Sequence, residues 1–201
     1  MAVRLSSWRR RRSILVLPTW DQIIAFHRLL QDSRGSFWAG KRRTTSTHYM
    51  KLSAVTFLAL ISSGLRLGEW LSLRVQDIDW ASRMAQPTHE SQDTKRSWFS
   101  FLSLEAAEAL KEYLAEYPPS SKGYLFLTYR PDYASQRVIE GKVRNSFDLV
   151  QQGAGIRLYP HLLRSIFADR LGMVGIPDRF RCIRRTPTTH RATTPLLRLP
   201  A

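Results

Sequence analysis

Apolar residues recur at helical spacing in several stretches of the chain, and this pattern predicts a mainly helical domain. Thr19 is the expected N-cap of the first helix, because Gln22 follows three positions later and completes a capping box. The apolar face predicted for this helix consists of Trp20, Ile23, Ile24 and Leu30. The next helix is predicted from about Thr47 to Ser63, and it should lie centrally in the core because it is apolar on most sides. Gly64 should end it in a left-handed conformation.

The sequence pattern in the second half of the chain predicts a small sheet and three more helices. Aromatic residues give residues 97–103 strand character, so an antiparallel sheet or hairpin is expected near residues 80–103. Helices are predicted from Leu104 to about Tyr117, from about Ser135 to Gln152, and from Pro160 to about Gly172. The buried positions predicted for the last two are Val138, Val143, Phe147, Val150, Phe167, Leu171 and Val174. The expected fold class is therefore mainly α with a small antiparallel β-sheet (α+β).

The composition indicates a nucleic-acid partner. The 201 residues are enough for one domain of ordinary size, and they carry a formal net charge of +15 with a pI near 10.8. Such a charge favours binding to a polyanion, either DNA or RNA. Cys182 is the single cysteine, and no apolar run is long enough to span a bilayer. A cytoplasmic protein is therefore expected, with no membrane partner and with no metal or organic cofactor implied.

Two short motifs favour DNA over RNA. Residues 63–69 read Ser-Gly-Leu-Arg-Leu-Gly-Glu, and residues 160–164 read Pro-His-Leu-Leu-Arg. The first motif sets Arg66 just beyond a helix end, and the second sets His161 and Arg164 on one face of a helix. Arginine stays charged at any working pH, and its planar fork of donors fits a phosphate bidentately. The two motifs therefore predict a phosphate-binding site.

In their order and separation, these motifs resemble the T/S-G-L-R-x-x-E and H-x-x-R elements of the tyrosine recombinase (phage integrase) catalytic domain. The surrounding sequence is most similar to archaeal and archaeal-virus integrases, and the resemblance covers roughly Trp20 to Asp178. It implies the recombinase fold, and it implies DNA integration or recombination in which a tyrosine attacks a DNA phosphate and stays linked to it. The catalytic residues that it implies in this chain are Arg66, Lys95, His161 and Arg164.

The resemblance gives each of these residues a role. Arg66 and Arg164 would hold the non-bridging oxygens of the transition state, like an oxyanion hole for phosphorus. Lys95, on a hairpin, would protonate the leaving 5′ oxygen, and His161 would assist proton transfer. Glu69 is expected to orient arginine side chains. The interpretation of Lys95 as a solvated hairpin residue without a catalytic role is equally open.

Further cations are expected to contact the DNA backbone, and double-stranded DNA is the expected partner, on which several copies of the chain could assemble. Residues 1–17 are interpreted as a basic arm that is disordered when free. The candidate DNA-binding residues are Arg9, Arg10, Arg11, Arg12, Lys41, Arg42, Arg43, Arg137, Lys142 and Arg144. Arg137, Lys142 and Arg144 are predicted to form a stripe on the outer face of one helix.

The end of the sequence departs from the resemblance. No tyrosine follows Tyr159, which lies on the wrong side of the His161 motif to be the nucleophile. After the integrase-like residues 18–178, residues 179–201 hold six arginines, five threonines and three prolines but no acidic residue. We favour a frameshift near Asp178 over a native, disordered nucleic-acid-binding tail. In either case this chain alone is expected not to cleave DNA.

Two other functions stay open at this point. One is a non-catalytic, basic duplex-DNA-binding protein built on the same fold, which the missing tyrosine favours. The other is an RNA-binding or ribosomal protein, which is supported by charge alone. Preference for duplex DNA over RNA would separate the RNA-binding protein from the recombinase and from the non-catalytic DNA-binding protein.

Overall fold

A computed structural model of the protein describes residues 17–32, 47–87, 99–119, 123–128 and 137–176. These residues form six α-helices, a short 3-10 turn and a three-stranded sheet. The helices are α1 (Trp20–Gln31), α2 (Thr47–Ser63), α3 (Leu67–Leu71), α4 (Leu104–Glu116), α5 (Glu140–Ala154) and α6 (Pro160–Met173). The 3-10 turn is Val75–Asp77, and the strands are β1 (Ile78–Asp79), β2 (Met84–Ala85) and β3 (Ser100–Phe101). The expected fold class, mainly α with a small antiparallel sheet, is confirmed.

Helix α2 is the centre of the core, as its sequence predicts. It packs against α1, α4, α5 and α6, and most of its side chains are buried on every side. Phe57, near its middle, stacks with Phe26 of α1 and Phe147 of α5 at ring-centroid distances of 6.0 and 6.3 Å. A helix with no polar face must be enclosed by other elements, so α2 fixes where its four neighbours lie.

Helix α1 begins at the predicted capping box but turns a different face to the core. The Thr19 backbone N–H donates to Gln22 Oε1 at 2.9 Å, and the Gln22 N–H donates to Thr19 Oγ1 at 3.3 Å. The buried residues are Ile23, Phe26 and Leu30. The prediction was wrong for Trp20 and Ile24, which are 45% and 46% exposed. The stripe that faces α2 and α5 consists of Ile23, Phe26 and Leu30, at positions i, i+3 and i+7. Neither Trp20 nor Ile24 lies on this stripe.

The three strands form one antiparallel sheet in the order β1-β2-β3, where a sheet or hairpin was predicted. Ala85 pairs with Ile78 on one side and with Ser100 on the other. The Ser100 hydroxyl donates to the Ser63 carbonyl at 2.6 Å, which ties β3 to the end of α2. The sheet is therefore fixed against the same helix end that precedes Arg66.

Helix α5 begins five residues later than the sequence predicts. Arg137 pairs with Leu127 in an isolated antiparallel bridge, and the Val138 N–H donates to the Phe126 carbonyl at 3.0 Å. Because these backbone groups are used in an extended pairing, the helix cannot include them and starts at Glu140. Val138 is still buried, as predicted, but as part of this pairing.

Helix α6 starts at Pro160, as predicted, with proline in the first turn where its missing N–H is tolerated. Its buried residues lie earlier in the helix than expected: Pro160, Leu162, Leu163, Arg164 and Ile166. Phe167 and Leu171 are half-buried, but Val174 is 73% exposed, so its predicted burial was wrong. The burial ends before the helix does, since Met173, the last residue of α6, is 69% exposed. None of the helices in the described ranges has the length and apolar character that crossing a bilayer requires.

Candidate active site

The turn after α2 sets the position of the first motif. Gly64 has φ +65°, a left-handed conformation, and its N–H donates to the Leu60 carbonyl at 3.0 Å. A Cβ atom on Gly64 would lie 2.2 Å from Cδ1 of Phe167, a residue of α6. Only glycine therefore fits, both for its backbone angle and for the close approach of the two helices. The next residue, Leu65, is fully buried and anchors the turn in the core.

Arg66 lies at the N-cap position of α3, a short helix that was not predicted from the sequence. Its extended backbone (φ −74°, ψ 150°) donates the N–H to Glu69 Oε2 at 2.7 Å. Its guanidinium Nη1 contacts the other carboxylate oxygen of Glu69 at 2.5 Å. The Arg66 side chain is 47% exposed, so Glu69 holds its guanidinium while the side chain stays accessible to a ligand.

Arg164 is the buried cation of the site, with a side chain that is only 6% exposed. Its Nη1 donates a short hydrogen bond to the Gly64 carbonyl and lies 3.8 Å from Glu69 Oε2. A buried charge is tolerated only when it is paired and hydrogen-bonded, and these contacts meet that need. Glu69 thus contacts both arginines of the two motifs, in keeping with the orienting role expected for it.

A cleft of about 230 Å³ lies over this cluster. The residues that line it are Leu65, Arg66, Leu67, Gly68, Glu69, Glu140, Arg144, Pro160, His161 and Arg164. His161 is exposed in the first turn of α6, while Arg164 is buried one turn later on the same helix. The N-terminus of α6, which is the positive end of its dipole, lies at the cleft and favours an anion there. The turn before α3, together with α3, α5 and α6, thus builds one cleft, which contains three arginines and two carboxylates.

Of the four predicted catalytic residues, the structure brings together Arg66, His161 and Arg164. Lys95 lies outside the described residues, as do residues 1–16 of the predicted basic arm (residues 1–17), the basic loop with Lys41, Arg42 and Arg43, and residues 179–201. No group of His, Cys, Asp and Glu that could hold a metal ion occurs in the part of the chain that the structure describes.

The predicted stripe of Arg137, Lys142 and Arg144 is not one helix face. Arg137 precedes α5, and its guanidinium lies 5.6 Å from the ring centroid of Tyr124, outside the cleft. Lys142 lies 5.7 Å from the ring of Tyr49. Of the three, only Arg144 lines the cleft. Arg137 lies before the helix, and Lys142, two residues before Arg144 on α5, lies on a different side of it.

Glu140 and Gly68 are site residues that the sequence reasoning missed. Glu140 forms an ion pair with Arg144 at 2.7 Å, and its carboxylate fills the space beside Gly68. The spacing of four residues between Glu140 and Arg144 was a visible signal for a helical ion pair. Nothing in the sequence indicated that this pair would face α3.

Known structures share this fold. A crystal structure of XerA recombinase matches with a TM-score of 0.62 and 20% identity, over 86% of this chain and 55% of that chain. The Tn1549 transposon integrase with circular intermediate DNA matches with a TM-score of 0.59 and 15% identity, over 83% and 55%. XerH site-specific recombinase bound to difH substrate matches with a TM-score of 0.55 and 18% identity, over 80% and 44%. The chain thus spans about half the length of these solved structures.

The fold is that of recombinase catalytic domains, and the sequence assigns the family directly. Residues 39–180 match the phage integrase family, which is more than half of the chain. The protein therefore belongs to the phage integrase family. No curated protein matches the sequence.

Proposed function

We propose that the chain is the DNA-binding catalytic domain of a site-specific recombinase and that its cleft binds one phosphate of duplex DNA. The observation that carries this proposal is the joint contact of Glu69 with Arg66 and Arg164 at the floor of one cleft. Two guanidinium groups held by one carboxylate are preorganised before any ligand arrives, and such fixed cations stabilise a developing anion strongly. A net charge of +15 adds long-range attraction to DNA.

Each residue of the cleft has a distinct part in this proposal. Arg66 and Arg164 hold the non-bridging oxygens of the phosphate, and Glu69 keeps both guanidinium groups in place. His161, which is exposed in the first turn of α6 and lines the cleft, assists proton transfer. Lys95 is proposed as the acid that protonates the leaving 5′ oxygen.

We further propose that this 201-residue chain binds DNA without cleaving it. The reaction of the family needs a tyrosine nucleophile, and no tyrosine follows Tyr159 in the sequence. Tyr159 itself is half-buried at the N-cap of α6, directly before the cleft residues Pro160 and His161. A loss of reading frame near Asp178 explains the basic tail best, and reading the gene in all three frames from that codon tests this explanation.

DNA binding is tested by fluorescence anisotropy with a labelled duplex over a series of salt concentrations. Arg66→Gln should weaken binding about 10-fold and lower the slope of log K against log salt by about 0.9, because one phosphate contact is lost. Arg28→Gln removes the same charge from the exposed face of α1, away from the cleft, and is the matched control. Equal affinities and slopes for the two variants would contradict the proposed site.

Two further readouts of the same preparation separate the alternatives. A duplex should bind more tightly than an RNA hairpin of equal charge, and the reverse order would favour an RNA-binding protein. Incubation with a nicked duplex that traps covalent intermediates should leave no adduct that survives denaturing electrophoresis. Such an adduct would show that the chain has a nucleophile and would overturn the second proposal.

A further inference from the structure

A second charged pair lines the cleft, on helix α5, which carries neither arginine of the two motifs. Glu140 is the first residue of α5, and Arg144 follows one turn later. Their side chains are both partly exposed, and Arg144 Nη2 contacts Glu140 Oε2 at 2.7 Å. The cleft therefore contains a third arginine, which is neutralised by a carboxylate of its own helix.

Gly68 explains why the Glu140 carboxylate can lie where it does. A Cβ atom on Gly68 would be 2.7 Å from Glu140 Oε1, closer than such contacts allow. The carboxylate thus reaches across from α5 and occupies the space that the glycine of α3 leaves open. This contact holds an anionic group inside a cleft whose other charged groups, apart from Glu69, are arginines.

The two carboxylates of the cleft are held differently. Glu69 is largely buried, accepts the Arg66 N–H and contacts two guanidinium groups, so a ligand cannot easily displace it. Glu140 is partly exposed, and its ion pair with Arg144 is of the helical i, i+4 type, which is among the weakest in proteins. Arg144 contacts Glu140 through Nη2 and Oε2, whereas a DNA phosphate, which carries the same single negative charge, can accept two parallel hydrogen bonds from the guanidinium.

We propose that Arg144 is a third phosphate-binding arginine of the cleft and that a DNA phosphate displaces Glu140 from it. Glu140 is then the resting partner of Arg144, which keeps the guanidinium at the cleft wall before DNA arrives. The inference rests on the proposed function, since it assumes that the cleft binds a DNA phosphate. It adds an exchange of partners at Arg144. A ligand that cannot displace Glu140 from Arg144 binds more weakly.

Glu140→Gln tests the exchange because it removes the charge and keeps the side-chain volume beside Gly68. At low salt it should tighten duplex binding about 3- to 10-fold, since no carboxylate competes for Arg144 or repels the phosphate. Asp148→Asn is the control, because it makes the same charge change two turns later on α5, outside the cleft. Arg144→Gln should weaken binding about 5- to 10-fold and lower the salt slope by about 0.9.

The double variant separates the exchange from simple repulsion. If Glu140 acts by holding Arg144, the gain from Glu140→Gln should shrink clearly when Arg144→Gln is already present. An equal gain with and without Arg144 would overturn the exchange, and so would a gain no larger than that of Asp148→Asn. Arg66→Gln is measured in parallel. If Arg66→Gln weakens duplex binding while Glu140→Gln and Arg144→Gln leave the affinity unchanged, only this inference fails. If all three variants leave the affinity unchanged, the phosphate site itself is wrong.

Discussion

At the scale of single residues, the site depends on the backbone of Gly64 as much as on its arginines. The carbonyl of Gly64 accepts the hydrogen bond from Arg164, and its left-handed conformation turns the chain toward Arg66. The position of the turn therefore determines whether the buried guanidinium of Arg164 keeps this hydrogen bond. A change that moved this carbonyl would leave a buried cation with one partner fewer, which is costly.

Gly64→Ala should lower the free energy of unfolding by about 2–4 kcal/mol, because the left-handed backbone and the contact with Phe167 both oppose a methyl group. Gly155→Ala is the matched control: Gly155 has nearly the same φ, +66°, but open space around it. That variant should lose only about 1–2 kcal/mol. Urea unfolding followed by circular dichroism measures both. Equal losses would show that Phe167 gives way without cost and that the helix contact does not select glycine.

At the scale of elements, the sequence predicts what local spacing and end signals determine. Helix α2 begins and ends where it was predicted, because its residues are apolar throughout and Gly64 stops it. The start of α5 was wrong because the donor at Val138 bonds to Phe126, a partner that periodicity cannot show. Helix α3 was missed because five residues are too few to display a helical period.

Helix α5 offers a test of local propensity that is separate from the site chemistry. Gly141 is the second residue of this helix, and a Cβ atom there would meet nothing within 4 Å. Gly141→Ala should therefore raise the free energy of unfolding by about 0.5–1 kcal/mol, since alanine restricts the unfolded chain more and favours the helix. The urea midpoint should rise accordingly. A lower midpoint would mean that α5 does not begin at Glu140 as described.

At the scale of the whole molecule, the cleft is the part that the sequence predicts least completely. The motifs identified Arg66, His161 and Arg164, because chemistry restricts which residue types can hold a phosphate. Glu140 and Arg144 belong to the same cleft only because the packing around α2 brings the start of α5 to α3. That juxtaposition is a property of the assembled core, and no local pattern in α5 encodes it.

The stability of the whole fold should fall as the pH falls below 7, because the core contains a buried histidine. His48 lies among Tyr49, Tyr113 and Tyr117, and its Nε2 is 2.8 Å from the Tyr113 hydroxyl. Burial lowers the pKa of His48 to about 4, although the nearby charge of Glu116 acts in the opposite direction. Burial also lowers the pKa of His27, a residue of α1 whose ring stacks against Phe57 of α2.

Between pH 6.5 and about 4 the unfolded chain binds a proton at His48 that the folded chain does not, so acidification favours unfolding. The free energy of unfolding should drop by roughly 1–2 kcal/mol from pH 7 to pH 5, with part of the drop due to His27. Urea unfolding at both pH values measures it. In His48→Gln, which cannot be protonated, the drop should be smaller by at least about 0.5 kcal/mol. If both proteins lose the same stability, the pH dependence arises at other groups, and the burial of His48 does not control it.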